Sequence, residues 1–275
     1  MRPSAFGVVL WAAACVALAF LLIPIVAIFS ELTLGELRDG LTSDVARDAL
    51  RVTAETNLVA MALILLFGTP TAYLLASRSF RGRTLLVTLV ELPLVLPPAV
   101  AGIGLLAAFG RLGLLGGTLE SLGVDIAFTK VAVILAVTFV ASPFYVRTAI
   151  AAFEAVDPDL VAASRTLGAG PARTFGRVAL PLASGGLGAG AALAFARGLG
   201  EFGATIMFAG SLQGVTQTLS LAVYQEFDVD FDTALAIGAL LVLGSALVLF
   251  AAKVIPSWRR SASTSITVSA PSASR

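Results

Sequence analysis

The sequence predicts an all-α, polytopic membrane protein with six transmembrane helices, and two observations carry this prediction. First, 58% of the 275 residues are hydrophobic and only 13% are charged, with a mean hydropathy of +0.96. A soluble fold of this length could not bury so much apolar surface, which excludes a water-soluble enzyme. Second, charge-free apolar runs of about 20 residues, the length that crosses a bilayer, recur along the chain.

These runs place the predicted spans in chain order. They cover residues 3–30, 56–77, 92–110 with an extension back to 85, 131–146 with an extension to 153, 178–196 and 233–252. The first run is longer than the roughly 7–15 apolar residues of a signal peptide, so we expect it to remain as a span. The predicted organisation is a first helix and connector over residues 1–55, a core domain over 56–255 and a disordered tail over 256–275.

The basic residues predict the orientation of these spans. Twelve Lys and Arg side chains fall on the side that holds both termini, against five on the other side. Because cytoplasmic loops carry the excess of basic residues, both termini are predicted to be cytoplasmic. The connectors at 31–55, 111–130 and 200–232 then face outward.

Several kinds of chemistry are missing from the sequence. The chain has no histidine and only one cysteine, Cys15, which excludes imidazole catalysis and a thiolate metal cluster. Neither Lys130 nor Lys253 follows a glycine, so the chain carries no P-loop. We therefore predict no catalytic residues, no metal and no cofactor in this chain. A net charge of +1 gives no electrostatic case for a nucleic-acid partner.

The segment 155–177, between the fourth and fifth predicted spans, contains a short capped helix. Asp157 is a good N-cap with Pro158 at the first helical position, and Gly168 is a typical C-terminal stop. At helical spacing one face of this helix is modestly apolar, and it contains Leu160, Ala163, Ser164 and Leu167. Such a helix either packs on its own bundle and the lipid headgroups or docks in a groove of a partner, and spacing alone does not decide.

The same segment resembles the signature loop of ABC importer permeases. That pattern reads Glu-Ala-Ala, three residues, Gly, nine residues, Ile, one residue, Leu-Pro. Here Ala162 takes the glutamate position and Ser164 the second alanine position, while Gly168 and Leu180-Pro181 stand at the expected spacing. The resemblance implies a type I importer architecture in which this loop, the coupling helix, docks on a separate ATPase subunit that binds the ATP. The residues it assigns to coupling are Asp157, Leu160, Ala162, Ala163, Ser164, Leu167, Gly168, Leu180 and Pro181.

Other segments are similar to the molybdate permeases within that family. They include Leu92-Pro-Leu-Val-Leu-Pro-Pro98, Ser142-Pro-Phe-Tyr-Val-Arg147, and the run Gly200-Glu-Phe-Gly-Ala-Thr205 with Gln217-Thr-Leu219 after it. The resemblance implies import of a tetrahedral oxyanion, molybdate or tungstate, through a path between two copies of the chain. It also implies an extracytoplasmic oxyanion-binding protein as a partner and a bacterial or archaeal cytoplasmic membrane as the location.

A dianion path needs a water-filled cavity with weakly binding groups, which hydroxyls and backbone amides at helix breaks supply. The candidates for path or gate are Thr69, Pro97, Pro98, Ser142, Arg197, Gly200, Glu201, Gly203 and Thr205. Arg197 and Glu201 are expected to share a helix face, either as a local ion pair or as part of an outer gate. Each proline could equally mark a packing kink that a nearby hydroxyl satisfies.

Three alternatives remain open on the sequence. Sulfate and thiosulfate permeases resemble the chain over most of the same length. A self-sufficient ion-coupled transporter is a second alternative, although the acids near the spans lie toward their ends and form no evident proton relay. A membrane-embedded enzyme is the third, and it lacks a recognisable catalytic constellation.

Overall fold

The computed structural model describes residues 5–263, and every regular element within that range is helical. The helices are α1 (Ala5–Ser30), α2 (Leu34–Thr42), α3 (Asp44–Ser77), α4 (Arg83–Val95), α5 (Pro98–Phe109), α6 (Gly116–Ser121), α7 (Lys130–Glu154), α8 (Pro158–Thr166), α9 (Pro171–Thr174), α10 (Leu180–Leu199), α11 (Gly203–Ala209), α12 (Leu219–Glu226) and α13 (Phe231–Ser263). A π-turn, Phe175–Ala179, joins α9 to α10 without a break.

Five helical segments within residues 5–263 are long and apolar enough to cross a bilayer. They are α1, α3, α7, the continuous segment Pro171–Leu199 and α13. A sixth crossing exists only if α4 and α5 together form one broken span. The chain bends by 113° between these two helices. The predicted third span, residues 92–110 with an extension back to 85, thus corresponds to two helices that meet at Pro97 and Pro98, and the predicted six spans require that this pair be one crossing.

Two consecutive prolines account for the bend between α4 and α5. Neither Pro97 nor Pro98 has an amide hydrogen, and a residue before proline is pushed out of the helical region. Leu96 and Pro97 accordingly have extended ψ angles of 131° and 132°. Pro98 then takes the first position of α5, where its missing amide costs nothing.

The bounds of the second and last spans differ from the prediction. Helix α3 begins at Asp44 rather than at residue 56, because its first turns carry charged side chains that a search for charge-free runs discards. Helix α13 continues to Ser263, so it extends into the segment 256–275 predicted as a disordered tail. The remainder of that predicted tail lies outside the described residues.

The chain forms two compact units. One contains the chain up to Ala54 together with Gly210–Gly244, and the other contains Glu55–Ala209 and the chain from Ser245. In the first unit a small core forms where α3, α12 and α13 bury Ala46, Ala49, Leu219, Ala222 and Ile237. Within this unit the hydroxyl of Thr53 accepts a hydrogen bond of 2.8 Å from the Leu219 amide, which fixes the start of α12.

In the second unit a row of small residues on α10 lets it pack closely against α7. The row consists of Gly186, Gly190, Ala194 and Gly198, which repeat every four residues and so lie on one face. A Cβ atom on Gly186 would stand 2.5 Å from the Cβ of Ala152, and one on Gly190 would stand 3.0 Å from the Cβ of Thr148. Small residues at such spacing are the usual way in which membrane helices approach each other.

Ion pairs connect α7 to α3 and α4 in the same unit. Lys130 Nζ lies 2.6 Å from Glu55 Oε2, and Arg147 Nε lies 3.4 Å from Glu91 Oε1. The acids near span ends, Glu55 and Glu91, are thus paired with cations on a neighbouring helix, which makes their charge tolerable in the membrane.

Candidate functional site

The short capped helix predicted between the fourth and fifth spans is present as α8. Asp157 Oδ1 accepts a hydrogen bond of 2.9 Å from the amide of Asp159, which confirms the predicted N-cap. Gly168 has φ of +84°, the left-handed conformation that ends a helix and that side chains other than glycine rarely adopt. Both ends of the predicted helix are therefore confirmed.

Helix α8 presents an exposed apolar stripe. Leu160 is 49% exposed and Leu167 is 88% exposed, with Ala163 exposed between them. The opposite face of α8 covers a cavity of about 400 Å³, and the residues that line it include Val161, Ala162, Arg165, Phe153, Glu154 and Tyr73. Exposed apolar helix faces are one kind of surface by which proteins recognise a partner.

Ser164 and Ala162, which belong to the predicted coupling set, lie outside that stripe, as do Leu180 and Pro181. Ser164 is half-buried, and its hydroxyl lies 3.1 Å from the hydroxyl of Thr174. Ala162, in the position where the family pattern has glutamate, lines the cavity beneath α8. Leu180 and Pro181 begin α10, directly after the π-turn.

A buried carboxylate lies at the break between α10 and α11. Helix α10 ends at Leu199, so Arg197 and Glu201 do not share a helix face, and that prediction is wrong. The predicted ion pair is nevertheless formed, because Arg197 Nη2 lies 2.6 Å from Glu201 Oε2. The Glu201 side chain is 1% exposed, the Arg197 side chain 26%.

Glu201 also organises the backbone after the break. Its Oε1 accepts a hydrogen bond of 2.8 Å from the amide of Ala204, in the first turn of α11. A carboxylate at a helix start satisfies an amide that has no partner inside the helix. The Glu201 side chain thus neutralises Arg197 and also caps the first turn of α11.

Helix α11 packs closely on α5, and two of the predicted path residues meet there. A Cβ atom on Gly203 would stand 2.8 Å from the Cβ of Pro98, and one on Gly102 would stand 2.5 Å from the carbonyl oxygen of Ala204. Thr205 is fully buried, and its hydroxyl has no hydrogen-bond partner among the described residues. The structure therefore brings Pro98, Glu201, Gly203 and Thr205 into one region of the second unit.

Thr69 and Ser142 use their hydroxyls elsewhere. Thr69 Oγ1 lies 2.6 Å from Tyr145 Oη, a contact that joins α3 to α7. Ser142 donates to the carbonyl of Phe139 at 3.4 Å, the carbonyl that Pro143 leaves without a helical partner. These contacts match the alternative in which the polar group serves packing.

Sequence reasoning missed Asn57, Tyr145 and Thr174. Asn57 is buried on α3, and a Cβ atom on Gly198 would lie directly against its Oδ1. An amide within an apolar span is a signal that could have identified it. Tyr145 and Thr174 become significant through partners distant in the sequence, which no local pattern reveals.

A cavity of about 630 Å³ lies where α5 meets the connector to α7. Its walls are mainly apolar, from Leu106, Phe109 and Phe128, with Arg111 and Asp125 also lining it. The Glu120 carboxylate accepts a hydrogen bond of 2.9 Å from Arg111 and raises the pKa of that guanidinium, which is charged in any case. This connector is one of those predicted to face outward.

Comparison with known proteins places these features in a family. Residues 64–260 match the family described as the binding-protein-dependent transport system inner membrane component. The molybdenum transport system permease protein of Mycobacterium tuberculosis is 44% identical over 231 residues, which cover 84% of this chain and 88% of that protein. The sulfate transport system permease protein of Salmonella typhimurium is 36% identical over 243 residues, which cover 86% and 87% of the two chains.

A solved structure shows the same fold. It is the bacterial alginate ABC transporter in complex with an alginate pentasaccharide-bound periplasmic protein. The likeness has a TM-score of 0.68 at 17% sequence identity, and it covers 93% of this chain and 96% of that one.

Proposed function

The chain belongs to the family of binding-protein-dependent transport system inner membrane components, and on this premise we propose that it is the membrane-spanning subunit of an ATP-driven molybdate importer. The observation that supports molybdate as the substrate is the 44% identity to the mycobacterial molybdenum permease over 84% of this chain. Tungstate is included in the proposal, because it forms a tetrahedral dianion of nearly the same size.

The energy for transport comes from a separate ATPase subunit in this proposal. The exposed stripe of Leu160, Ala163 and Leu167 is the surface that would dock on it, since an apolar helix face gains by leaving water. The chain itself has no P-loop lysine, so the partner binds and hydrolyses ATP. No reaction is catalysed by this chain.

The translocation path lies between two copies of the chain in this proposal. A dianion would pass it only through water and weakly binding groups, because a strong fixed cation would hold it. Arg197 does not act as such a trap, since Glu201 compensates its charge at 2.6 Å. The structure of α5, α11 and Glu201 supports a role for this region in gating the path.

An extracytoplasmic binding protein delivers the anion to the outward-facing connectors. The alginate transporter, which has this fold, is in complex with a periplasmic protein, and that complex supports the assignment. The distribution of basic residues supports the outward direction of these connectors.

Sulfate is the second candidate substrate. The sulfate permease of Salmonella typhimurium is 36% identical to this chain, and that of Synechococcus elongatus is 38% identical over 198 residues. Sulfate is also a tetrahedral dianion, so the same hydroxyls and amides could accept it.

Uptake of labelled molybdate into vesicles that contain this chain, its ATPase and its binding protein tests the proposal. We expect ATP-dependent uptake that unlabelled tungstate suppresses and that a hundredfold excess of sulfate leaves nearly unchanged. Uptake that sulfate suppresses as strongly as molybdate would favour the second candidate. Uptake without ATP or the ATPase would exclude the proposed class.

A further inference from the structure

Helix α8 is joined to the rest of the chain by a link that contains two glycines. Residues 167–170 separate α8 from α9, and no atom outside the immediate backbone would contact a Cβ at Gly168 or Gly170. The amides of Gly168 and Ala169 donate to the carbonyls of Arg165 and Ser164 at 2.9 and 3.0 Å, so the link follows the end of α8, but its glycines put few steric restrictions on the turn into α9. Part of a displacement of α8 would therefore be lost at the glycines of the link unless a contact outside the link connects α8 to α9.

A hydrogen bond between two side chains makes that connection. Ser164 on α8 and Thr174 at the end of α9 have their hydroxyl oxygens 3.1 Å apart, and Thr174 is fully buried. The Ser164 hydroxyl donates its hydrogen to the carbonyl of Val161 at 2.9 Å. Since a hydroxyl has one hydrogen, Thr174 is the donor in the bond to Ser164.

The π-turn begins at the residue after Thr174. In it the amide of Leu180 donates to the carbonyl of Phe175, five residues back, instead of the usual four. Pro181 accounts for this, because in an α-helix its ring would crowd the carbonyl four residues before it and leave that carbonyl unpaired. The Leu-Pro of the signature pattern therefore builds a wider helical turn at the base of α10.

Aromatic contacts fix the beginning of this turn against α3 and α7 within the second unit. The Phe175 ring lies 4.7 Å from that of Tyr73 on α3 and 6.2 Å from that of Phe153 on α7, measured between centroids. Phe175 thus holds the start of the turn, while the wider ring beyond it has a less regular hydrogen-bond pattern.

We propose that Ser164 and Thr174 are positioning residues for transport: their hydrogen bond passes a displacement of α8 around the glycine link into the π-turn and so into α10. This inference rests on the proposed function, because it assumes that an ATPase moves α8. The family pattern has alanine at the position of Ser164. The hydrogen bond to Thr174 therefore depends on a hydroxyl that this chain has and the pattern lacks.

The test is the amount of molybdate taken up per ATP hydrolysed in vesicles of phosphatidylethanolamine and phosphatidylglycerol. Thr174→Val keeps the shape of the side chain and removes only the hydroxyl, and it should lower this ratio about fivefold, as the loss of one buried hydrogen bond predicts. Thr174→Ser should restore the ratio to within twofold of the wild type. Thr148→Val is the matched control, since the half-buried Thr148 hydroxyl bonds only to the Phe144 carbonyl of its own helix.

A purely structural role of Thr174 would lower the yield of folded complex without changing the ratio, because the ratio is taken per ATP hydrolysed by the complex that is present. An unchanged ratio in Thr174→Val would therefore overturn the inference. So would a lowered recovery of the ATPase with that variant, since the effect would then be on docking. If Thr174→Val does not reach the membrane, Ser164→Ala removes the same bond from its more exposed side and must give the same fall.

The outcome is separable from that of the proposed function. If the wild-type complex imports sulfate and not molybdate, the proposed substrate is wrong, and the ratio measured with sulfate still tests the hydrogen bond. As a second criterion, the double variant Ser164→Ala with Thr174→Val should be no worse than Thr174→Val alone, because both changes remove one bond. Additive losses would show that the two hydroxyls act separately.

Discussion

At the residue scale, Gly198 on α10 lies against Asn57 of α3 and Val137 of α7 in the second unit. A Cβ atom there would lie against Asn57 Oδ1 and 3.0 Å from Val137 Cγ1. Gly198→Ala should therefore destabilise the protein by about 1–3 kcal/mol, the usual cost of overpacking. The measurement is the midpoint of thermal unfolding in detergent.

Gly188 on the same helix provides the control for this prediction, because nothing lies within 4 Å of its Cβ direction. Gly188→Ala should leave the midpoint unchanged or raise it, since alanine favours helix over glycine by about 1 kcal/mol. Asn57→Ala should recover part of the loss in the Gly198→Ala background. A stable Gly198→Ala single variant would show that the α3–α10 contact is loose.

Glu201 supports a second prediction at this scale. Glu201→Gln keeps an acceptor for the Ala204 amide but leaves the charge of Arg197 uncompensated. We expect less folded protein in the membrane and reduced uptake, because breaking an ion pair with one deeply buried member is costly, on the order of 3 kcal/mol for a fully buried pair and less here. The partial exposure of Arg197 reduces this cost.

The double variant Arg197→Gln with Glu201→Gln separates the two roles considered for this pair. If the pair only neutralises local charge, the double variant should recover both membrane level and uptake per molecule. Recovery of membrane level without uptake would instead mean that the charges themselves belong to the gate. We expect the first result, since Glu201 already has a structural task in starting α11.

At the scale of elements, the end of α8 depends on the backbone conformation of Gly168. Its φ is +84° and the space around it is open, so a substitution acts through conformation and not through a steric clash. Gly168→Val should misplace Leu160 and Leu167, giving normal membrane levels with at least a fivefold loss of co-purified ATPase.

Gly168→Asn is the matched control, because asparagine adopts the left-handed conformation far more readily than valine. It should retain most of the ATPase. Equal recovery of the ATPase with Gly168→Val and the wild type, together with full uptake, would mean that α8 is a passive connector.

The elements also show what the sequence could and could not predict. Helix α8 was predicted with both ends right, because its caps are local signals in Asp157 and Gly168. Hydropathy predicts the position of the third span and Pro97-Pro98 predicts a break in it, but neither signal gives the bend of 113° between α4 and α5. The partners of Thr69 and Ser164 escaped prediction, since each is chosen by packing between elements and not by neighbours in sequence.

At the scale of the whole molecule, topology depends on whether α4 and α5 together cross the bilayer. At 1.5 Å per residue each of these helices is only about 20 Å long, too short to span about 30 Å of hydrocarbon alone. Single cysteines at Thr42, Ser79 and Ser121, after removal of Cys15, report the side of each connector to an impermeant thiol reagent. From outside, Thr42→Cys and Ser121→Cys should be labelled and Ser79→Cys should not.

Each other pattern has a distinct meaning in this labelling experiment. Labelling of Ser79→Cys alone would show an inverted orientation, which would place α8 outside and exclude an ATPase docking there. Labelling of Thr42→Cys alone would show that α4 and α5 form a re-entrant pair. Permeabilised membranes, in which all three sites should react, provide the control for accessibility.

The source of energy is a property of the assembly and not of this chain. The sequence has two lysines, Lys130 and Lys253, and neither is in a phosphate-binding loop. In the structure Lys130 is engaged with Glu55 at 2.6 Å. The purified chain should therefore hydrolyse no ATP above a protein-free blank, and hydrolysis should appear only with the separate ATPase subunit.

The decisive comparison is between ATP hydrolysis by this chain alone and by this chain combined with the ATPase subunit. Hydrolysis should rise further when the binding protein and molybdate are supplied to the outer side. In this proposal, arrival of the loaded binding protein changes the arrangement of the spans, and that change reaches the ATPase through α8. ATP hydrolysis by the isolated chain, verified by mass, would refute the assignment of energy to a partner. A rise that occurs equally with Gly168→Val would show that the signal reaches the ATPase by a route other than α8.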